Sequence, residues 1–250
     1  TVQDTFSNVD YDTSNFEDDL NHVLQMEAVA CKDWLTNKVD RSVTGRVAFQ
    51  QTCGKVQVPL NNLGASALDY QGEKGIATSI GHAPVAGLIN PEAGSVLSIA
   101  EALTNIIWAP IDDGLKGISL SANWMWPAKN KGENAKLYKA VKAVSDFAID
   151  LGINIPTGKD SLSMTQKYKD DMVYSPGTVI ISAVGEVSDI KKIVSPALEN
   201  DVDSSILYID LSNDDLCLGG SSFAQLKNQL GQKAPTVKDT EYFAKAFEVI

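Results

Sequence analysis

Apolar residues recur along this chain with two periods, and the switches between them sketch an architecture. After an unpatterned polar stretch over 1–14, a helical period starts at Asn15-Phe16-Glu17, with Leu20, Val23 and Leu24 as its apolar positions. Asp18 and Asp19 fall in its first turn, where the helix dipole favours negative charge. A second short helix is predicted over 30–39, around Trp34 and Leu35. From 41 to 90 the texture changes. Residues 43–49, 65–70 and 75–81 read as strands, punctuated by Gly and Pro. Asn90-Pro91-Glu92-Ala93-Gly94 then leads into a strong helix. Its Val96, Ile99, Ala100, Leu103 and Ile107 follow the i, i+3, i+4, i+7 spacing of a buried stripe. A short strand over 118–123 comes next. A second strong helix over 133–151 is stopped by Gly152, and a strand follows over 177–187.

This order predicts an α+β fold: a mixed sheet with covering helices. Composition turns polar over 195–204, which sets a domain boundary. The expected division is a linker with N-terminal helices over 1–40, a domain over 41–195, and the start of an α/β domain over 203–250. That last part holds a predicted strand over 206–211, a Gly-Gly turn and a helix from about Ser221. One strand and two helices bury no core of their own. The chain also begins without Met and stops inside an amphipathic pattern, so a fragment is expected.

Composition narrows the function classes. The 250 residues are 44% hydrophobic and 21% charged, as in ordinary soluble globular proteins. No apolar run approaches a membrane span, and the acidic start does not look like a secretory leader, so no membrane partner is expected. Cys31, Cys53 and Cys217 are odd in number and show no ligand spacing, which reads as reduced thiols in a cytoplasmic protein. A net charge of −11 argues against a general nucleic-acid binder. It leaves room for a nucleotide, whose phosphates a few local groups can hold.

Five places could carry chemistry. Glu101 and Asn105 lie four apart on one helix, so their oxygens project from nearly the same face, as hard ligands for Mg²⁺ with nucleotide phosphates. A solvated helix surface explains the same spacing. Gly158-Lys159-Asp160-Ser161 joins a permissive glycine to a cation; a polar connecting turn is the plainer reading. Lys32 stands alone near the second helix and reads equally as surface. Asn123, beside Trp124 and Trp126, either lines a pocket or caps a turn. Gly219-Gly220 before Ser221 is an anion nest or a simple turn. His22 and His82 have no partner pattern, and no Ser/His/Asp or Cys/His arrangement is visible.

These signals occur in a familiar order. DRSVTG at 40–45, VPL at 58–60, Ile80-Gly81, AEALTN at 100–105, SANWM at 121–125 and GKDSLSM at 158–164 together resemble the large, single-chain phosphoribosylformylglycinamidine synthase family. The likeness runs over roughly 16–250. It implies the second of two tandem units similar to aminoimidazole ribonucleotide synthetase: its α+β N-terminal half, then the opening of its α/β half. The implied parent is a carbon–nitrogen ligase of purine biosynthesis. It uses ATP and glutamine to turn formylglycinamide ribonucleotide into formylglycinamidine ribonucleotide. For this piece the likeness implies a structural ATP or ADP with Mg²⁺ and no turnover alone. Lys32 and Asn61 are the implied nucleotide contacts, and Asn62, Glu101 and Asn105 the implied metal ligands. Asn123, Lys159, Asp160 and Ser161 are candidates for substrate or phosphate. Asn62 departs from the family pattern, which has an aspartate there. Expected partners are small nucleotides and ribonucleotides, the remaining domains of the parent, and a homodimer imitating the internal pseudodimer. A structural module, and another ATP-using enzyme of the same fold superfamily, are the alternatives.

Overall fold

In the computed structural model, which describes residues 6–9, 12, 14–36, 45–52, 60–198, 200 and 202–250, strand patterning produces one dominant sheet. Strands β1 (Val47–Phe49), β2 (Leu63–Ala67) and β3 (Gly75–Gly81) come first. They are followed by β4 (Ile118–Met125), β5 (Asn154–Ser161), the small pair β6 (Thr165–Lys167) and β7 (Met172–Tyr174), and β8 (Thr178–Val187). The helices are α1 (Phe16–Gln25), α2 (Asp33–Thr36), α3 (Pro84–Ile89), α4 (Pro91–Ile106), α5 (Glu133–Leu151), α6 (Ser222–Leu226) and α7 (Thr240–Val249).

The six-stranded sheet runs β1-β2-β3-β8-β4-β5. All its neighbours are antiparallel except β4 and β5, which are parallel and joined through α5. A parallel pair needs such a crossover, because a tight turn reverses direction. The mixed sheet with covering helices is therefore an α+β architecture.

Side chains alternate across the sheet with period two. In β3, Gly75, Ala77, Ser79 and Gly81 are buried while Ile76, Thr78 and Ile80 are exposed. In β8, Val179, Ile181, Ala183 and Val187 are buried. The buried face packs against α4 and α5, whose Ile99, Leu103, Ile106, Val144 and Phe147 complete the core. From α7, Phe243 and Phe247 join the same core, with the Phe243 ring edge-on to Phe147 at 5.8 Å. The opposite face of the sheet leaves Ile80, Ser182 and Val184 exposed.

Several boundaries differ from the pattern-based expectation. The predicted strand over 206–211 joins no sheet among the described residues; Ile206, Leu207 and Tyr208 are more than four-fifths exposed. An apolar run marks a chain able to pair, but pairing also needs a neighbouring edge that the fold brings to it. The strand expected over 65–70 is β2, and it stops where the Asp69 carboxylate accepts the Gln71 N–H at 2.7 Å and turns the chain. Of the helix expected over 30–39, α2 occupies four residues and 37–40 lie outside the described residues, as do 43 and 44 of the first strand. Helix α3 and strands β5, β6 and β7 add to the expected order. No helix among the described residues is long and apolar enough to cross a membrane.

Candidate functional site

The site begins with how α4 is seated. Asn90 caps the helix: its side-chain oxygen accepts the N–H groups of Glu92 and Ala93 at 2.9 and 3.1 Å, and Pro91 takes the first turn. The helix then lies directly on the end of β3. Gly81 allows this, because a β-carbon there would come within 2.2 Å of the Ser98 carbonyl oxygen. The Ser79 hydroxyl adds a bond to the Ala102 carbonyl at 2.6 Å.

That contact fixes Glu101 and Asn105. The Glu101 carboxylate accepts the His82 backbone N–H at 2.5 Å, and its oxygen lies 3.8 Å from His82 Nδ1. One turn on, the Asn105 amide donates to the Ile80 carbonyl at 2.9 Å. Ser79 is the last β3 residue paired with β2. The two α4 side chains therefore serve backbone groups at and just after the end of β3, beyond its pairing with β2, where a polar group without a partner would be costly.

Two cavities flank this contact and separate the pair. One of about 450 Å³ is lined by His82, Glu101, Thr104, Asp210, Ser212 and Phe243, among others. The other, about 350 Å³, is lined by Phe49, Asn61, Asn62, Asn105, Trp108 and Pro196, with further apolar side chains. Asn61 is only 9% exposed. Its backbone N–H donates to Gln51 O at 2.9 Å and its side-chain amide to Gln50 O at 2.6 Å, while its buried Oδ1 has no partner among the described residues. Asn62 beside it is exposed. Lys32 lines neither cavity; its Nζ donates to Ala30 O at 3.0 Å.

The remaining candidates form a separate group across β4 and β5. Asn123 stands opposite Lys159, and Met125 opposite Ser161. Lys159 Nζ donates to the Asp160 carbonyl at 2.9 Å and to the Ser161 hydroxyl. Residues 158–161 are thus part of an exposed edge strand, where their composition suggested a polar connecting turn. The side-chain oxygen of Asn123 is buried without a partner among the described residues. Gly219 and Gly220 serve packing: β-carbons there would meet Lys233 O at 2.0 Å and Ala86 N at 3.0 Å.

Sequence reasoning passed over His82, Phe49 and Trp108. Nothing in their spacing marks them, since β1, the end of β3 and the end of α4 meet only in the fold. Among the described residues, no group of three or more His, Cys, Asp or Glu side chains is arranged to hold a metal ion.

Comparison with known proteins matches this geometry to a family. The model of the FGAR-AT PurM_N-like domain matches residues 31–186. The probable phosphoribosylformylglycinamidine synthase of Caenorhabditis elegans is 41% identical over 233 residues, which are 92% of this chain and 18% of that protein. The phosphoribosylformylglycinamidine synthase of Homo sapiens is 41% identical over 231 residues, 92% of this chain and 17% of that protein. Among solved structures, PurLQS from Thermotoga maritima shares the fold at 14% identity, with a TM-score of 0.51 over 67% of this chain and 25% of that one. The chain thus spans less than a fifth of the length of these two curated relatives. With the domain model matched over more than half of its length, this chain belongs to the phosphoribosylformylglycinamidine synthase family, as its FGAR-AT PurM_N-like domain.

Proposed function

We propose that the chain contributes a nucleotide-holding part to an ATP-dependent carbon–nitrogen ligase that acts on formylglycinamide ribonucleotide with glutamine as ammonia source. The observation that carries this reading is the pair of cavities at the α4–β3 contact, where polar side chains converge on otherwise apolar walls. Concave, mostly apolar sites with a few convergent polar groups are where small ligands bind. Domains over 41–195 and 203–250, in a cytoplasmic protein, belong to the same reading.

Within it, Asn61, Asn62 and Asn105 face the nucleotide, and Lys32 is the cation that would reach its phosphates. Asn123, Lys159, Asp160 and Ser161 form an outlying polar strip for the ribonucleotide or its phosphate. The role of this part is positioning: it holds reactants in place and turns an encounter into an intramolecular step. The reacting groups lie in other parts of the parent, so the isolated chain gives no turnover.

Magnesium, which the family resemblance implies, does not fit the residues present. The ion takes oxygen ligands in a tight octahedron and favours carboxylates. Of Asn62, Glu101 and Asn105, only Glu101 is charged. Its carboxylate receives the His82 N–H and lines the other cavity.

Calorimetric titration of the chain with ATP and ADP tests the proposal, together with an assay for product from ATP, glutamine and substrate. Saturable nucleotide binding without product is expected. Product formation by the isolated chain refutes the positioning role, and absence of any nucleotide binding refutes the site.

A further inference from the structure

Residues 127–142 carry five lysines, Lys129, Lys131, Lys136, Lys139 and Lys142, against one carboxylate, Glu133, in a chain whose net charge is −11. Lys142 pairs with Asp146, and Lys136 sits 2.9 Å from Glu133. Glu133 also accepts the indole N–H of Trp126 at 3.0 Å. The acid of this stretch is therefore satisfied from within. Lys129, Lys131 and Lys139 are exposed and pair with no carboxylate among the described residues.

The lysines edge a cavity of about 430 Å³ that is separate from the α4–β3 contact. Lys131 and Lys136 line it, and Leu88, Pro127, Pro176 and Tyr174 supply apolar walls. Its rim is fastened: the Asn130 amide donates to Pro127 O at 2.9 Å and to the Thr165 hydroxyl at 3.0 Å. Through Tyr174 the cavity runs onto the β6–β7 pair, which joins no other strand among the described residues. Tyr174 stands opposite Thr165, and Met172 opposite Lys167. Period two puts Lys167, Met172 and Tyr174 on one face. Met172 and Tyr174 are exposed there. A lone two-stranded pair is only marginally stable and gains from a partner laid against it.

An apolar pit edged by cations fits an apolar anchor set among carboxylates. A small anion would fill the cavity and leave Lys167 and Met172 uncovered. Nucleic acid gains affinity from a long row of neutralised phosphates. Here Asp170 and Asp171 follow the lysines directly, and the chain as a whole is acidic. A short acidic stretch of polypeptide suits this surface better.

We infer that this cavity and the adjoining β6–β7 face dock an acidic segment of a partner polypeptide. One apolar side chain enters beside Leu88 and Pro176, and flanking carboxylates meet Lys131 and Lys167. The inference is independent of the nucleotide reading.

The test titrates a fluorescein-labelled peptide, with two acidic residues on each side of one phenylalanine, with the whole chain. Fluorescence anisotropy is the readout. Saturable binding at low salt is expected, weakening as salt is raised because these charges are exposed. Glycine in place of the phenylalanine is expected to weaken binding about tenfold. Lys131→Glu with Lys167→Glu is expected to weaken the acidic peptide by about tenfold or more, and to bind a peptide with lysines in place of the acids instead. Both lysines are exposed, so the melting curve should not change. No binding at low salt overturns the proposal. So does binding that ignores both the phenylalanine and the two lysines. Oligouridylate that displaces the peptide and binds more tightly also overturns it, and marks the patch as a nucleic-acid surface.

Discussion

Gly81 lies against the backbone of Ala102, so closely that a β-carbon on the glycine would sit 2.3 Å from the Ala102 nitrogen. The neighbours on both sides are main chain, and they cannot swing away as a flexible side chain would. Gly81→Ala must therefore push α4 off β3. Overpacking of this kind costs about 1–3 kcal/mol. Denaturant titration should show that loss. The displaced helix also separates Glu101 from the His82 N–H, so ligand affinity at the two flanking cavities should fall with stability.

Ser79 gives a smaller effect at the same contact. Its buried hydroxyl donates to Ala102 O at 2.6 Å. Ser79→Ala removes the donor and leaves a carbonyl that still bonds within α4, so a loss of about 1 kcal/mol is expected. Ser79→Val should cost more, because the added methyl groups meet a helix already in contact with the strand. Thermal melts of the two variants side by side check the order.

How much of this was legible beforehand depends on where each residue sits. The two ends of α5 could be read from the chain: a long one-sided stripe stops at Gly152, which takes the left-handed conformation at φ 71°. Strand β5 could not, because an exposed edge strand has no buried face and so no alternation; its residues read as polar punctuation. Residues 206–211 failed in the opposite sense, since an apolar run cannot supply the neighbour it would pair with. At the site, the spacing of Glu101 and Asn105 placed them together on α4. Their bonds to the His82 N–H and the Ile80 carbonyl were invisible, being backbone groups brought in by the fold. The burial of Asn61 was equally hidden, because it follows from bonds to Gln50 and Gln51, which the fold brings beside it.

Trp126 supplies a test away from the site. It is 2% exposed, and its indole N–H donates to the Glu133 carboxylate at 3.0 Å, while Lys136 pairs with the other oxygen at 2.9 Å. Gly177 lies flat against the ring; a β-carbon there would come 2.2 Å from it. Trp126→Phe keeps most of the apolar contact but removes the donor to a charged acceptor, which costs about 2 kcal/mol. Glu133→Gln preserves an acceptor for the indole and should cost less. Chemical denaturation of both variants separates the hydrogen bond from the packing.

Acid should loosen the segment after β8. Asp214 is a nearly buried carboxylate; burial pushes its pKa up, but bonds from Lys238 and from the N–H groups of Asp215 and Thr236 outweigh this and hold it below 3.8. A group lowered in the folded state contributes stability that is present above its unfolded pKa, about 3.9, and disappears as pH falls through the folded value. Asp214→Asn should therefore destabilise the chain near neutrality, with the difference from the natural chain vanishing in strong acid. Melting temperatures recorded from neutral pH downward check this. Lys238→Met should mimic the neutral-pH loss, because it leaves the carboxylate with fewer partners.

The unpaired stretch ahead of Asp214 has its own consequence. Val202, Ile206, Leu207 and Tyr208 are each more than four-fifths exposed, and among the described residues 206–208 join no sheet. An extended apolar segment with free backbone groups invites pairing with another chain. Concentration-dependent association should therefore arise here, and charge should suppress it. Ile206→Lys with Tyr208→Lys places two like charges on the segment and removes two exposed apolar side chains. Since neither contributes to the core, the melting temperature in dilute solution should stay within about 1–2 °C of the natural chain. Sedimentation over a concentration series should show less association. Unchanged association in the double variant would move the sticky surface to the open face of the sheet, where Ile80 and Val184 are exposed, and Ile80→Lys would then be the variant that abolishes it.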